Sequence, residues 1–317
     1  MLKSFNYYKG SFIEALTSVA AIYLLIIIGY LLKIIFKDDI HEKSFVLLSL
    51  YFLQPILVFW GLTREKLNFD FFISPLIYFS AIFLVLIMAL FYVRFVFDNS
   101  NDKALFLSSA LVGNTGNLGI PLGIALFGVS SVPYTSILNI ANIFFIFIFS
   151  VYFLAGEKFS FLKALKNIFK IPAITVTFFA ILFNYFDFTL NMHFDKVFTM
   201  AAYTAIVMQL IVFGIFMSQI SIKKANWKLS LNIVLFKHII LPLVGLIGLV
   251  YFEVEPFLAS IIFLELMVPL AINNVNLASL FNRNPIDATF SILLSSIVFV
   301  ALIYVYLLII NHFFKVS

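Results

Sequence analysis

The chain has 317 residues, of which 63% are hydrophobic and only 11% charged. Soluble domains run near half apolar and a quarter charged, so a water-soluble packing is excluded. The formal charge of +5 sits on lysines in short loops and is no nucleic-acid footprint, and the absence of cysteine removes disulfides, thiol catalysis and cysteine-ligated metals together.

Apolar blocks of roughly 20 residues, the length that crosses a bilayer, recur along the whole chain. They predict ten helices, over residues 12–36, 44–62, 71–93, 104–127, 132–155, 171–186, 197–219, 229–251, 256–281 and 287–311. The first carries Glu14 and follows a segment, Met1 to Gly10, without a cleavable-signal pattern, so it reads as a retained helix. The links are short and charged, such as Lys37-Asp38-Asp39, Arg64-Glu65-Lys66 and Asp98-Asn99-Ser100-Asn101-Asp102. None has the length or Pro/Gly/Ser content of an interdomain linker, and no low-complexity segment interrupts the chain.

Lysine and arginine divide unevenly between the two sides that these spans define. Six lie on the side of the N-terminus (Lys3, Lys9, Arg64, Lys66, Lys196 and Lys315) and thirteen on the other. The largest cluster, Lys158, Lys163, Lys166 and Lys170, falls on the link between the fifth and sixth spans. Positive-inside bias then places both termini outside a cytoplasmic membrane. Tyr7, Tyr8 and Trp227 near span ends suit an interfacial belt, and most of the 42 Phe and 14 Tyr read as lipid-facing or packing mass.

The fourth and ninth spans share a pattern. Asn114-Thr115-Gly116-Asn117-Leu118-Gly119 and Asn273-Asn274-Val275-Asn276-Leu277-Ala278 both read Asn-x-x-Asn-Leu-small, 159 residues apart (273 − 114). A second echo, Gln54-Pro55-Ile56-Leu57 and Gln209-Leu210-Ile211-Val212, recurs at 155 (209 − 54). Two halves of five spans enter the membrane in opposite senses because five is odd. The expected architecture is therefore an all-α integral membrane protein of two inverted repeats, residues 1–156 and 157–317. Gly113, Gly116, Gly119, Pro121 and Gly123 make a regular fourth helix improbable, and Pro269 marks the matching break in the ninth. Unwound backbone at membrane depth must be buried in protein or line a wet cavity. Half-helices meeting there would aim positive N-terminal ends at an anion, with C-terminal ends and freed carbonyls suited to a cation. The alternative is close packing through small residues, with the asparagines as interhelical glue.

At these residues the sequence resembles the auxin efflux carrier family, whose bacterial members include proteins described as malonate and malate carriers. Gly113 to Leu122 is similar to the family's Asn-Thr-Gly-x-x-Gly-x-Pro motif, and Met267-Val268-Pro269 through Ala278 to its ninth-helix motif. The resemblance implies ten helices in two inverted five-helix repeats and a fold shared with bile-acid sodium symporters. It implies a scaffold of spans 1, 2, 6 and 7, which admits a homodimer, and a moving elevator core of the other six. It places the crossing of spans four and nine at Pro121 and Pro269, with substrate beside it. Two departures, Asn117 in a commonly apolar position and the lack of the plant carriers' long loop, favour an anion smaller and more polar than auxin.

The substrate-contact candidates are Asn114, Thr115, Asn117, Asn273, Asn274 and Asn276, with Asn139 and Asn142 on one face of the fifth span. Asn139 and Asn142 read equally as helix glue, and Gln54 and Gln209 read more readily as scaffold kinks and glue. Glu265 needs a partner or water, which makes it either a coupling residue for H+ or Na+ or a structural partner. Lys237 and His238 either attract the anion, or Lys237 snorkels to the boundary while His238 bonds a neighbouring helix. No cofactor and no metal site is expected: the four histidines are scattered, and neither His-Glu-x-x-His nor a phosphate loop occurs. The reading is a secondary carrier for a small organic carboxylate. An intramembrane lipid-modifying enzyme is the alternative from another class, though no nucleophile and base converge in the sequence. A channel is weaker still, because two unlike breaks do not repeat around a pore.

Overall fold

The computed structural model describes residues 2–218 and 225–314, with side chains from residue 17 onward. Glu14, Tyr7, Tyr8 and Lys3, Lys9, Lys223, Lys224 and Lys315 lie outside the described side chains. The rest is all helix: α1 (Leu2–Phe36), α2 (Glu42–Leu62), α3 (Phe69–Val96), α4 (Ser100–Ser109), α5 (Thr115–Phe127), α6 (Val129–Lys158) and α7 (Phe161–Ile168). These are followed by α8 (Pro172–Tyr185), α9 (Met192–Met217), α10 (Trp227–Tyr251), α11 (Pro256–Met267), α12 (Asn273–Leu280) and α13 (Pro285–Phe313). Among the described residues seven helices are long and apolar enough to cross a membrane: α1, α2, α3, α6, α9, α10 and α13. This is a multi-pass membrane architecture.

Local chemistry sets the helix starts. Side chains of Asn68, Asn99, Ser160, Asn191, Asn226, Glu255 and Asn284 accept from backbone N–H groups in the first turns of α3, α4, α7, α9, α10, α11 and α13. Pro172, Pro256 and Pro285 open α8, α11 and α13, where a missing N–H costs nothing.

Two of the predicted spans and one link are modified. Residues 104–127 are two helices, α4 and α5, and residues 256–281 are likewise α11 and α12. The lysine-bearing link before the sixth span is not plain loop. It holds the amphipathic α7, bent by 63° from α8.

The helices sort into two packed groups. In one, α9 runs along α1 and, with α8, packs on the second half of α2. In the other, α3 packs on α6 and α10, and α13 packs on α10 and α12. Added Cβ atoms on Gly29 and Gly214 would strike the backbone oxygens of Ile211 and Ile26, so α1 and α9 touch backbone to backbone. Apolar clusters around Leu57, Trp60, Ile120 and Ala202, and around Val58, Phe71, Ile140 and Ala173, join the groups. At one end Arg64 pairs with Asp195 at 2.8 Å and Lys66 with Asp187 at 2.9 Å.

Four five-residue turns with the wider π-type hydrogen-bond pattern interrupt the described helices: Ser49–Leu53, Thr115–Gly119, Ile146–Ser150 and Phe236–Ile240. Pro55, Pro121 and Pro242 follow three of them, each in the first turn of resumed α-helix. Proline cannot donate to the preceding turn, and the wider turn takes up the mismatch. All four lie beside the region described next.

Candidate functional site

Two broken helices meet at their breaks. Gly113 and Leu270 form an isolated antiparallel bridge. Asn114 N–H donates to the Pro269 carbonyl at 2.7 Å, and Ala271 N–H donates to the Val112 carbonyl at 3.2 Å. Backbone groups that would otherwise be stranded at membrane depth thus satisfy each other.

The crossing falls at Gly113 and Leu270, with Pro269 in it, and not at Pro121. Pro121 lies within α5, in the first regular turn after Thr115–Gly119. The bridge needs N–H donors and little bulk. A Cβ on Gly113 would come within 2.9 Å of Val268 Cγ2 and 3.0 Å of Lys237 Nζ. The other glycines serve approach rather than breakage. A Cβ on Gly116 would lie 2.9 Å from Asn139 Oδ1, and one on Gly119 would run into the Glu265 carboxylate. The break and close-packing readings of this segment therefore both hold, at different residues.

The N-terminal turns of α5 and α12 open on one cavity of about 100 Å³. Seven of the eight substrate-contact candidates line it: Asn114, Thr115, Asn117, Asn139, Asn142, Asn273 and Asn276. Asn274 does not. It stands about 100° around α12 from Asn273, and its buried amide has no hydrogen-bond partner among the described residues. Gln54 and Ser49 also line the cavity, and only the Gln54-Pro55 dipeptide signalled anything there. Gln209 is fully buried off the cavity lining, its amide unpartnered among the described residues.

Asparagines hold the break open while leaving groups free. Asn142 Nδ2 donates to the Gly113 carbonyl at 2.8 Å and to Thr115 Oγ1 at 3.1 Å, and Thr115 Oγ1 donates to Asn139 Oδ1 at 2.9 Å. Asn114 Nδ2 and Asn139 Nδ2 are buried donors without a partner among the described residues. Among the described residues no charged side chain lines the cavity. It presents amide donors and two helix N-termini, groups whose chemistry suits an anion. Val46, Phe216, Ile272 and Asn276 also line a wider vestibule of about 520 Å³, which reaches Glu42 and Lys43 at the start of α2.

Neither Lys237 nor His238 lines this cavity, although Lys237 Nζ lies 3.0 Å from where a Cβ of the lining residue Gly113 would be. Lys237 does not snorkel; it is fully buried and donates to the Leu266 carbonyl at 2.8 Å. His238 bonds α13 through Ser295 Oγ at 2.8 Å and Tyr306 Oη at 3.2 Å. One assignment satisfies the whole chain of groups. Leu270 N–H donates to Ser295 Oγ, Ser295 to Nε2, Nδ1–H to Tyr306, and Tyr306 to the His238 carbonyl. His238 thereby supports the crossing from behind. Glu265 is fully buried behind Gly119, its carboxylate unpartnered among the described residues. No cluster of metal-ligating side chains occurs among the described residues.

The model of a family described as membrane transport protein matches twice, over residues 14–161 and 158–307. An uncharacterized transporter of Methanocaldococcus jannaschii is 26% identical over 183 residues, which is 55% of this chain and 58% of that protein. The chain thus aligns with little more than half the length of this curated relative.

Proposed function

The chain belongs to the membrane transport protein family, the auxin efflux carriers, and from that premise we propose that it is a secondary carrier that moves a small organic carboxylate across the cytoplasmic membrane. It is a transporter and not an enzyme. The observation that carries the substrate class is the single cavity onto which two helix N-termini and a set of asparagine amides converge without a charged side chain. Asn114, Thr115, Asn117, Asn139, Asn142, Asn273 and Asn276 contact the substrate, and Asn274 lies off the lining.

Alternating access follows the elevator scheme. The broken pairs α4–α5 and α11–α12 each count as one span, as does the bent pair α7–α8, which makes ten in two inverted halves, 1–156 and 157–317. The group of α1, α2, α8 and α9 is the scaffold and admits a homodimer; the other group carries the site. Positive-inside bias puts both termini outside and the Lys43 vestibule toward the cytoplasm.

Counterflow in proteoliposomes tests the function. Vesicles loaded with unlabelled malonate or malate should accumulate the labelled acid transiently above equilibrium, and empty vesicles should not. Conversion of the acid, or flux without counterflow, would overturn the carrier. Glu265 is the coupling candidate, for H+ or Na+. Glu265→Gln should flatten whatever pH or sodium dependence the wild type shows, and an unchanged profile removes Glu265 from coupling.

A further inference from the structure

The link between α6 and α8 carries four lysines, Lys158, Lys163, Lys166 and Lys170, against one acid, Glu157. Charge of one sign on a link is ordinary topology bias and asks only for a loop. Here the chain places most of it on a helix. α7 starts from a Ser160 cap, runs Phe161–Ile168 and is bent 63° from α8.

Three stripes divide the surface of α7. Ala164 and Ile168, four residues apart, are buried, and Ile168 joins the apolar cluster of Ile140 and Ile143 in α6 and Ala173 in α8. Leu162 and Phe169, seven apart, share a second stripe and are 77% and 59% exposed. Lys163, Lys166 and Lys170 follow a third, and all three are exposed. None of the three pairs with an acid among the described residues. The first turn of α8 begins at Ile171 without a side-chain cap, which sets a positive helix end beside Lys170.

Large apolar side chains beside a row of unpaired ammonium groups suit neither water nor hydrocarbon. They suit the boundary between the two, where basic amphipathic helices lie. An anionic lipid offers both halves of the match there, an acyl chain and a phosphate. α7 also packs on the π-type turn Ile146–Ser150 of α6, whose Ile146 lines the cavity. It therefore touches the group that bears the cavity while leading directly into α8 of the other group.

We propose that α7 is a docking helix for anionic phospholipid of the cytoplasmic leaflet. Leu162 and Phe169 enter the acyl boundary, and Lys163, Lys166 and Lys170 hold headgroup phosphates. Through Ile146–Ser150 a docked lipid steadies the wall of the cavity. This goes beyond carriage of a solute, and its test needs no substrate.

The experiment is thermal unfolding of the full-length protein at low salt, in neutral detergent mixed with either dioleoylphosphatidylglycerol or dioleoylphosphatidylcholine. Phosphatidylglycerol should raise the unfolding temperature by on the order of 3 °C over phosphatidylcholine, and high salt should remove most of the rise. Joint replacement by Lys163→Gln, Lys166→Gln and Lys170→Gln should abolish most of the difference between the lipids, whatever it does to stability in phosphatidylcholine. Leu162→Ser with Phe169→Ser should shrink the difference too. Lys37→Gln, Lys43→Gln and Lys103→Gln together remove the same charge elsewhere on that side and should leave it intact. Equal stability of the wild type in the two lipids, or an equal loss in this last variant, overturns the proposal. So does the same lysine-dependent rise with inorganic phosphate in phosphatidylcholine, which would make α7 a site for a free anion.

Discussion

At the scale of single residues, the site separates asparagines that build from asparagines that remain free. Asn139 and Asn142 spend part of their capacity on Thr115 and Gly113, so removing them alters the break as well as the lining. Asn117 and Asn276 line the cavity from the two N-terminal turns, and among the described residues no side-chain hydrogen bond of theirs holds the crossing. Asn117→Ala and Asn276→Ala should therefore lower carboxylate uptake on the order of tenfold, with insertion and thermal stability kept. Wild-type uptake in both variants would remove them from the binding site.

At the scale of elements, helix irregularities and small residues do the positioning. The four π-type turns place Ser49, Thr115, Gly116, Asn117 and Ile146 on the cavity and Lys237 behind it. Widened turns expose backbone and re-aim side chains, which suits them to sites. Elsewhere the requirement is closeness. Gly214 faces the Ile26 carbonyl so tightly that any Cβ collides with it. Gly214→Val should separate α1 from α9 at a cost of about 1–3 kcal/mol, read as a fall in unfolding temperature of several degrees. Unchanged stability would show that the α1–α9 contact is not tight in the membrane.

At the scale of the whole molecule, the vestibule gives the cavity one open side. Asn276 lines both the cavity and the vestibule, Asn273 lines the cavity, both are exposed, and the chain holds no native cysteine. Asn273→Cys should react with a membrane-impermeant thiol reagent applied from the cytoplasmic face and resist it from outside, with substrate slowing the reaction. Labelling from the outer face alone would reverse both the assigned orientation and the direction in which this state opens.

The sequence by itself determined the membrane class, the long spans and the paired breaks, because those follow from composition and from backbone chemistry that holds wherever the chain is placed. Most of the cavity lining was legible too, because polar amides at membrane depth need a purpose, and the family motif lay on the same residues. What only the tertiary structure decided concerns partners distant in sequence. The crossing sits at Gly113 and Leu270 rather than at Pro121 because the bridge depends on two strands of backbone meeting. Asn274 faces away, and Gln54 faces in, because helix phase around a shared cavity is fixed by packing. Lys237 could have reached the boundary along its own helix; the freed carbonyl of Leu266, on another helix, is what draws it inward.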